Sequence, residues 1–120
     1  MSIKVDIDTR KLLKLNETAK NRAKVEIGNM ATGEMALRAP VKTGALRNSI
    51  GYETADEGNA SIPLPLVTDD NMVRVGTAIV YAAKNEYEYG NAFARPSIPD
   101  IQRNAVRIIE DNYRRSLNQL

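Results

Sequence analysis

Carboxylates are the first candidates for chemistry, because the 120-residue chain contains neither His nor Cys. That removes imidazole bases, thiol nucleophiles, the Ser-His-Asp triad and Cys-rich zinc sites, leaving carboxylates, Lys, Ser, Thr or Tyr to build any catalytic centre. Glu86 and Glu88 have the type for a general acid and base pair. Two residues apart, they share the solvent side of an exposed strand and diverge on a helix, which does not make a cleft. Asp69, Asp70 and Asn71 offer oxygens to a hard cation. The spaced ligands and closing Glu of a calcium loop are missing, so the trio reads as turn chemistry ahead of a strand. Gly44, Gly51 and Gly76 lack the strand, Gly-rich turn and Lys-Ser/Thr order of a phosphate loop. The expectation is a protein that is not an enzyme and has no cofactor and no metal.

The remaining candidates are cations. Lys20, Arg22, Lys24, Arg38, Lys42 and Arg47 have the type to contact a phosphate backbone, although the solvated face of a long helix carries such charges without any ligand. The formal net charge of +2 does not by itself argue for a nucleic-acid or membrane partner. Its distribution says more. Residues 10–47 hold nine Lys or Arg against three acids, whereas residues 53–71 hold five acids and no base. Such segregation suggests one subunit's basic helix meeting its neighbour's acidic loop and fixing register in an oligomer.

The elements that position these residues follow from periodicity. Composition is that of an ordinary globular chain, 42% hydrophobic and 27% charged, and the length suits a single domain over 1–120. One Phe, five Tyr and no Trp leave the core to aliphatic side chains. No run of 18 apolar residues occurs, and the first residues alternate charge with hydrophobe, so neither a membrane span nor a signal peptide is expected and the chain should fold in a cytoplasm. Ile3, Val5 and Ile7 alternate with Lys4 and Asp6 as in a strand. Asp8 and Thr9 are helix-capping types, and Leu12, Leu15, Ala19, Ala23, Ile27, Met30, Ala31 and Met35 trace one stripe. They predict a helix over 9–38, weakened by Gly28 and Gly33 and ended by Pro40.

Alternation predicts a second strand over 46–53, and Val73, Val75, Thr77 and Ile79 mark a third that pairs with it as a hairpin. The connection over 54–71 is far longer than ordinary hairpin loops and is expected to be functional or disordered. Residues 81–90 fit a helical turn or an edge strand equally. Ser97, Pro99 and Asp100 open a last helix, whose stripe is Ile101, Ala105, Ile108, Ile109, Tyr113, Leu117 and Leu120. The expected class is α+β, a small mixed sheet with a long hairpin packed against a long N-terminal helix and a C-terminal helix.

Four blocks in order carry a resemblance. They are ALRAPVKTGALRNSI (36–50), VRVGT (73–77), Tyr81-Ala82 leading to Glu88-Tyr89-Gly90, and FARPSI (93–98). Together they resemble the tail-completion or neck proteins of tailed bacteriophages, the small head-to-tail joining family of lambda-like siphophages. The family's acidic-aromatic pair stands five residues after the Tyr, where this chain has Glu86-Tyr87, and Glu88-Tyr89-Gly90 repeats it two residues on.

The resemblance covers about residues 10 to 118 and assigns structural roles to Pro40, Thr43, Gly44, Leu46, Ser49, Ile50, Val75, Gly76, Tyr81, Ala82, Glu88, Gly90, Phe93 and Pro96. It implies a ring-forming subunit, a hexamer being the expected ring, between the head connector or stopper and the tail terminator or tube. DNA would pass through as cargo, no membrane would be involved, and the protein would reside in the virion after assembly in the host cytoplasm. In that picture Ile62, Leu64, Leu66 and Val67 form an inter-subunit arm, mobile in the monomer, and deletion of 55–70 leaves a folded monomer that fails to complete particles. The alternative is a small nucleic-acid-binding module using the basic face of the first helix.

Overall fold

The structure is a computed structural model that describes residues 3–39, 44–60, 64–79, 82 and 92–118. It has the expected α+β class. Strand β1 (Ile3–Asp8) pairs with β3 (Met72–Thr77), which pairs on its other side with β2 (Gly51–Glu53), giving the order β1-β3-β2. Val5 lies opposite Val75 and Tyr52 lies opposite it from the other side. Both pairings are antiparallel, so the sheet over the described residues is antiparallel where a mixed one was expected.

The first helix is shorter than its stripe suggested. A 3-10 turn (Arg10–Lys14) comes first, and α1 (Glu17–Arg38) follows, about 33 Å long at 1.5 Å per residue. The break has a local cause. The Thr9 N–H remains bound to the Asn71 carbonyl at 2.9 Å, extending the β1–β3 ladder, and Thr9 caps only the 3-10 turn, its carbonyl accepting the Leu12 N–H and its side chain making no capping bond. Asn16 caps instead, its side chain accepting from the Ala19 N–H at 2.8 Å. Neither Gly28 nor Gly33 interrupts α1. Gly28 is there for packing: a Cβ at that position would lie 2.4 Å from the Tyr52 ring.

The expected strand over 46–53 is half helix. Gly44, at φ 75°, opens α2 (Ala45–Ser49), and only then does β2 begin. Leu46 and Ile50 are four apart, a spacing that a helical turn buries as well as alternation does, and here both side chains are buried. The left-handed backbone at Gly44 decides between the two, because its carbonyl accepts the Asn48 N–H at 3.0 Å. The last helix, α3 (Ala94–Asn118), starts three residues before Ser97, whose Oγ bonds back to the Ala94 carbonyl inside the first turn.

α1 lies across β2 and β3, while α3 packs on α1 and on β1. The inner line of α1, Ala19, Ala23, Ile27, Ala31 and Met35, meets the fully buried Leu12, Val73, Val75, Phe93 and Ile101. A second line, Arg22, Glu26, Met30, Glu34 and Arg38, faces α3 in antiparallel register. Arg22 and Glu26 bond Asn112, Asn104 donates to Glu34, and Arg38 pairs with Asp100. Both lines advance by four residues, the ridge geometry by which helices interlock.

Candidate functional site

Two of the four resembling blocks meet in space. Ser49, at the end of α2, and Thr77, at the end of β3, are buried and 2.6 Å apart through their hydroxyls. The Ile79 N–H donates to Thr77 Oγ1 at 3.1 Å, and Ser49 Oγ bonds the Leu46 carbonyl at 2.7 Å. A hydroxyl has one proton, so the chain runs one way: Ile79 N–H to Thr77, Thr77 to Ser49, Ser49 to the Leu46 carbonyl. Gly44 starts the turn, Leu46 and Ile50 anchor it, and Val75 is fully buried beside it. Gly76 sits where a Cβ would lie 2.0 Å from the Ile3 carbonyl oxygen, so no larger residue fits against β1. Ala82 and Phe93 are fully buried and Pro96 is exposed in the first turn of α3. Pro40, Thr43, Tyr81, Glu88 and Gly90 lie outside the described residues, as do Lys42, Glu86 and Ile62.

The second feature is the long connection, and it is docked on its own chain. Leu64 and Val67 are buried, whereas Leu66 is 84% exposed. Three cations hold the segment. Lys24, with a side chain 2% exposed, reaches Asp70 Oδ1 at 2.9 Å, the Asp70 carbonyl at 3.1 Å and Asp56 at 3.4 Å. Lys20 reaches Asp70 Oδ2 at 2.7 Å. Arg74, projecting from β3, forks onto Asp6 at 2.7 and 3.1 Å and donates to the Pro65 carbonyl at 2.8 Å. The Lys20 ammonium, then that of Lys24, holds the Asp70 carboxyl below its ordinary range, and Arg74 does the same to Asp6.

This arrangement changes the reading of the charges. The basic helix and the acidic loop do meet, but Lys20, Lys24, Asp56 and Asp70 do so within one chain. The other described members of the basic set are also engaged: Arg22 with Asn112, Arg38 with Glu34 and Asp100, Arg47 with the Ala36 carbonyl. Asp69 serves the turn, its side chain accepting from the Asn71 N–H at 2.8 Å, while Asp70 faces the lysines. Among the described residues no three acidic side chains gather as metal ligands. None of the described helices is long and apolar enough to cross a membrane.

The third feature is the sheet's margin. Tyr52 directs both backbone groups away from β3, and Asn59 takes both: its Oδ1 accepts from the Tyr52 N–H and its N–H donates to the Tyr52 carbonyl. That edge is closed. On β1, the Thr9–Asn71 bond sets the alternation, so residues 3, 5 and 7 bond β3 while the N–H and C=O groups of Lys4, Asp6 and Asp8 point outward. Beside them runs a groove of about 430 Å³ between β1 and α3, whose α3 wall includes Ile98, Ile101, Ala105, Val106 and Ile109. Alternation in the sequence identified the strand but gave no sign that its edge would stay open. No protein family, curated protein or solved structure matches this chain, so the hydroxyl node, the clamped loop and the open edge carry its functional reading by themselves.

Proposed function

We propose that this chain is a structural subunit of a tailed phage, a ring-forming neck or tail-completion protein that joins the head connector to the tail. The observation that supports this most is the node. Thr-Gly-x-Leu-x-x-Ser-Ile and Val-x-Val-Gly-Thr, blocks of the resemblance, are tied by the Ser49–Thr77 hydroxyl pair, and their described residues are turn formers, core anchors and close-packing glycines. A protein whose shared residues set architecture is suited to presenting fixed surfaces to neighbours. Ring closure by heterologous contacts is the geometric mechanism, one face meeting the connector and the other the tail. The nucleic-acid alternative has less support, because Lys20 and Lys24, central to its basic face, are buried under the chain's own loop.

The test is the solution mass of the purified protein over a concentration and salt series, with electron microscopy of the concentrated fractions. A discrete oligomer with ring outlines is expected. A monomer at every concentration that binds DNA with steep salt dependence would overturn the reading in favour of the nucleic-acid module.

A further inference from the structure

We propose that the open edge of β1 is the docking site for an extended segment of a partner protein, a fourth strand with apolar side chains at alternate positions and acidic ones between them. The inference rests on the edge geometry and not on the head-to-tail reading.

Three observations converge on a missing strand. Among the described residues, the backbone groups of Lys4, Asp6 and Asp8 form an unpaired ladder on one side of the sheet, while Asn59 closes the other side. The layers are also mismatched in width. Strands lie about 4.8 Å apart and packed helices about 9 Å apart. With α1 over the line between β2 and β3, and α3 packed on α1 and β1, the α3 axis falls about 2 Å outside β1. A strand added at the edge therefore lies under α3, where the groove already is. The α3 wall there is apolar apart from Gln102, and Val106, 47% exposed, is one of the few large hydrophobic side chains left uncovered among the described residues.

Charge selects the occupant. Each acid on the edge already has a cation of its own: Asp6 is forked by Arg74 and Asp8 is paired with Arg10 at 2.7 Å. Lys4, on the edge, and Lys11, in the groove wall, form no salt bridge among the described residues, Lys4 adding only its field to an Asp6 already held by Arg74, so the rim is net positive. An incoming strand with acidic outward residues is attracted, and a basic one is repelled. A second copy offering its own β1 does not fit, because the two-fold axis would run beneath α3 and superpose the two helices. The remaining mode is strand addition by a segment that brings no helix of its own, with backbone bonds giving affinity and the groove reading alternate side chains.

Amide exchange in the intact chain, followed residue by residue by NMR, tests this directly. The probes are an acetylated hexapeptide alternating glutamate and valine, and its lysine counterpart. In the isolated protein at low concentration the Lys4, Asp6 and Asp8 amides should exchange near unstructured rates while those of Val5 and Ile7 are protected. The glutamate peptide at saturation should slow all three by tenfold or more and the lysine peptide should not; Lys4→Glu with Lys11→Glu should reverse the preference.

Four results overturn the proposal: protection of the three amides in the dilute protein alone, which makes the chain its own occupant; protection that grows with protein concentration, which makes it a second copy; equal protection by both peptides; and protection by neither. A ring formed through any other surface leaves these amides exposed, so this inference and the head-to-tail reading fail separately.

Discussion

Removing the Asp70 carboxylate tests whether the long loop is part of the folded domain. In Asp70→Ala, Lys24 keeps the residue-70 carbonyl and Asp56 at 3.4 Å, whereas Lys20 keeps only Glu17 at 3.9 Å. Both lysine side chains are nearly inaccessible, 6% and 2% exposed, so water cannot readily replace the lost acceptor. Hydrogen bonds to charged groups contribute about 1.5–3 kcal/mol each, and Asp70 is itself half-exposed, which places both lost bonds at the low end. The sum is about 3 kcal/mol, or a Tm lower by roughly 10 °C for a chain of this size. Asp70→Asn, which retains one acceptor, should lose about half as much.

The pH dependence has a fixed sign. The folded-state pKa of Asp70 is lowered, so its contribution is complete above the unfolded value near 4 and disappears as pH falls through the folded one. The Tm gap between wild type and Asp70→Asn should therefore be full at pH 7 and begin to narrow below about pH 4, closing as pH falls through the folded value, while Asp6 contributes equally to both proteins and cancels. Thermal denaturation followed by circular dichroism reads both. A gap under 3 °C at pH 7, or one that persists unchanged at pH 3, would refute the reasoning and return residues 54–71 to the status of a free arm. If the reasoning holds, deletion of 55–70 removes the partners of Lys20 and Lys24 and the carbonyl bound by Arg74, and yields a destabilised chain, not the folded monomer expected from the sequence.

Further substitutions probe the packing. Gly33 faces open space, so Gly33→Ala should stabilise by about 0.5–1 kcal/mol, whereas Gly28→Ala drives a methyl into the Tyr52 ring and should destabilise by about 1–2 kcal/mol despite the same gain in helix propensity; urea midpoints of equal sign would contradict this. Ser49→Ala leaves the Thr77 hydroxyl without its acceptor and should cost about 1–3 kcal/mol, and Thr77→Val in the same background should add only the loss of the acceptor for the Ile79 N–H, so the double change costs less than the sum of the single ones. Asn112→Leu strips Arg22 of its acceptor in the buried α1–α3 seam and should cost about 2–3 kcal/mol in a denaturant titration, a value near zero meaning that solvent already reaches Arg22.

What was legible in the sequence follows from which signals are local. β1, β3 and α3 each bury one consistent line of apolar side chains, so period two or 3.6 survives in the residue types. α1 buries polar residues as well. Lys20, Lys24 and Gly28 form one of its inner lines, beneath a loop and a Tyr ring that are 24 to 50 residues away in sequence, and no helical stripe identifies a lysine as inward-facing. The charge segregation between 10–47 and 53–71 was visible, but composition does not say whether opposite charges meet within a chain or between two.

That distinction bears on function. Long connections gain interface energy only if they are free to leave their own domain, and this one is held by two buried lysines and an arginine fork. Among the described residues, sheet backbone that remains free to pair is on the opposite margin, at Lys4, Asp6 and Asp8, where alternating residues gave a strand and nothing more. Partner recognition by this fold is therefore better sought at the β1 edge than in the long loop, and an Asp6→Pro substitution separates the two. The Asp6 N–H points outward and takes no part in the β1–β3 ladder, so proline there removes a docking group, and the Arg74 fork with it, while leaving the ladder bonds in place. Arg74→Lys, which loosens the same fork but keeps the edge N–H, is the control: a loss of partner binding in the proline variant alone assigns recognition to the edge, and an equal loss in both assigns it to the fork and the loop it holds.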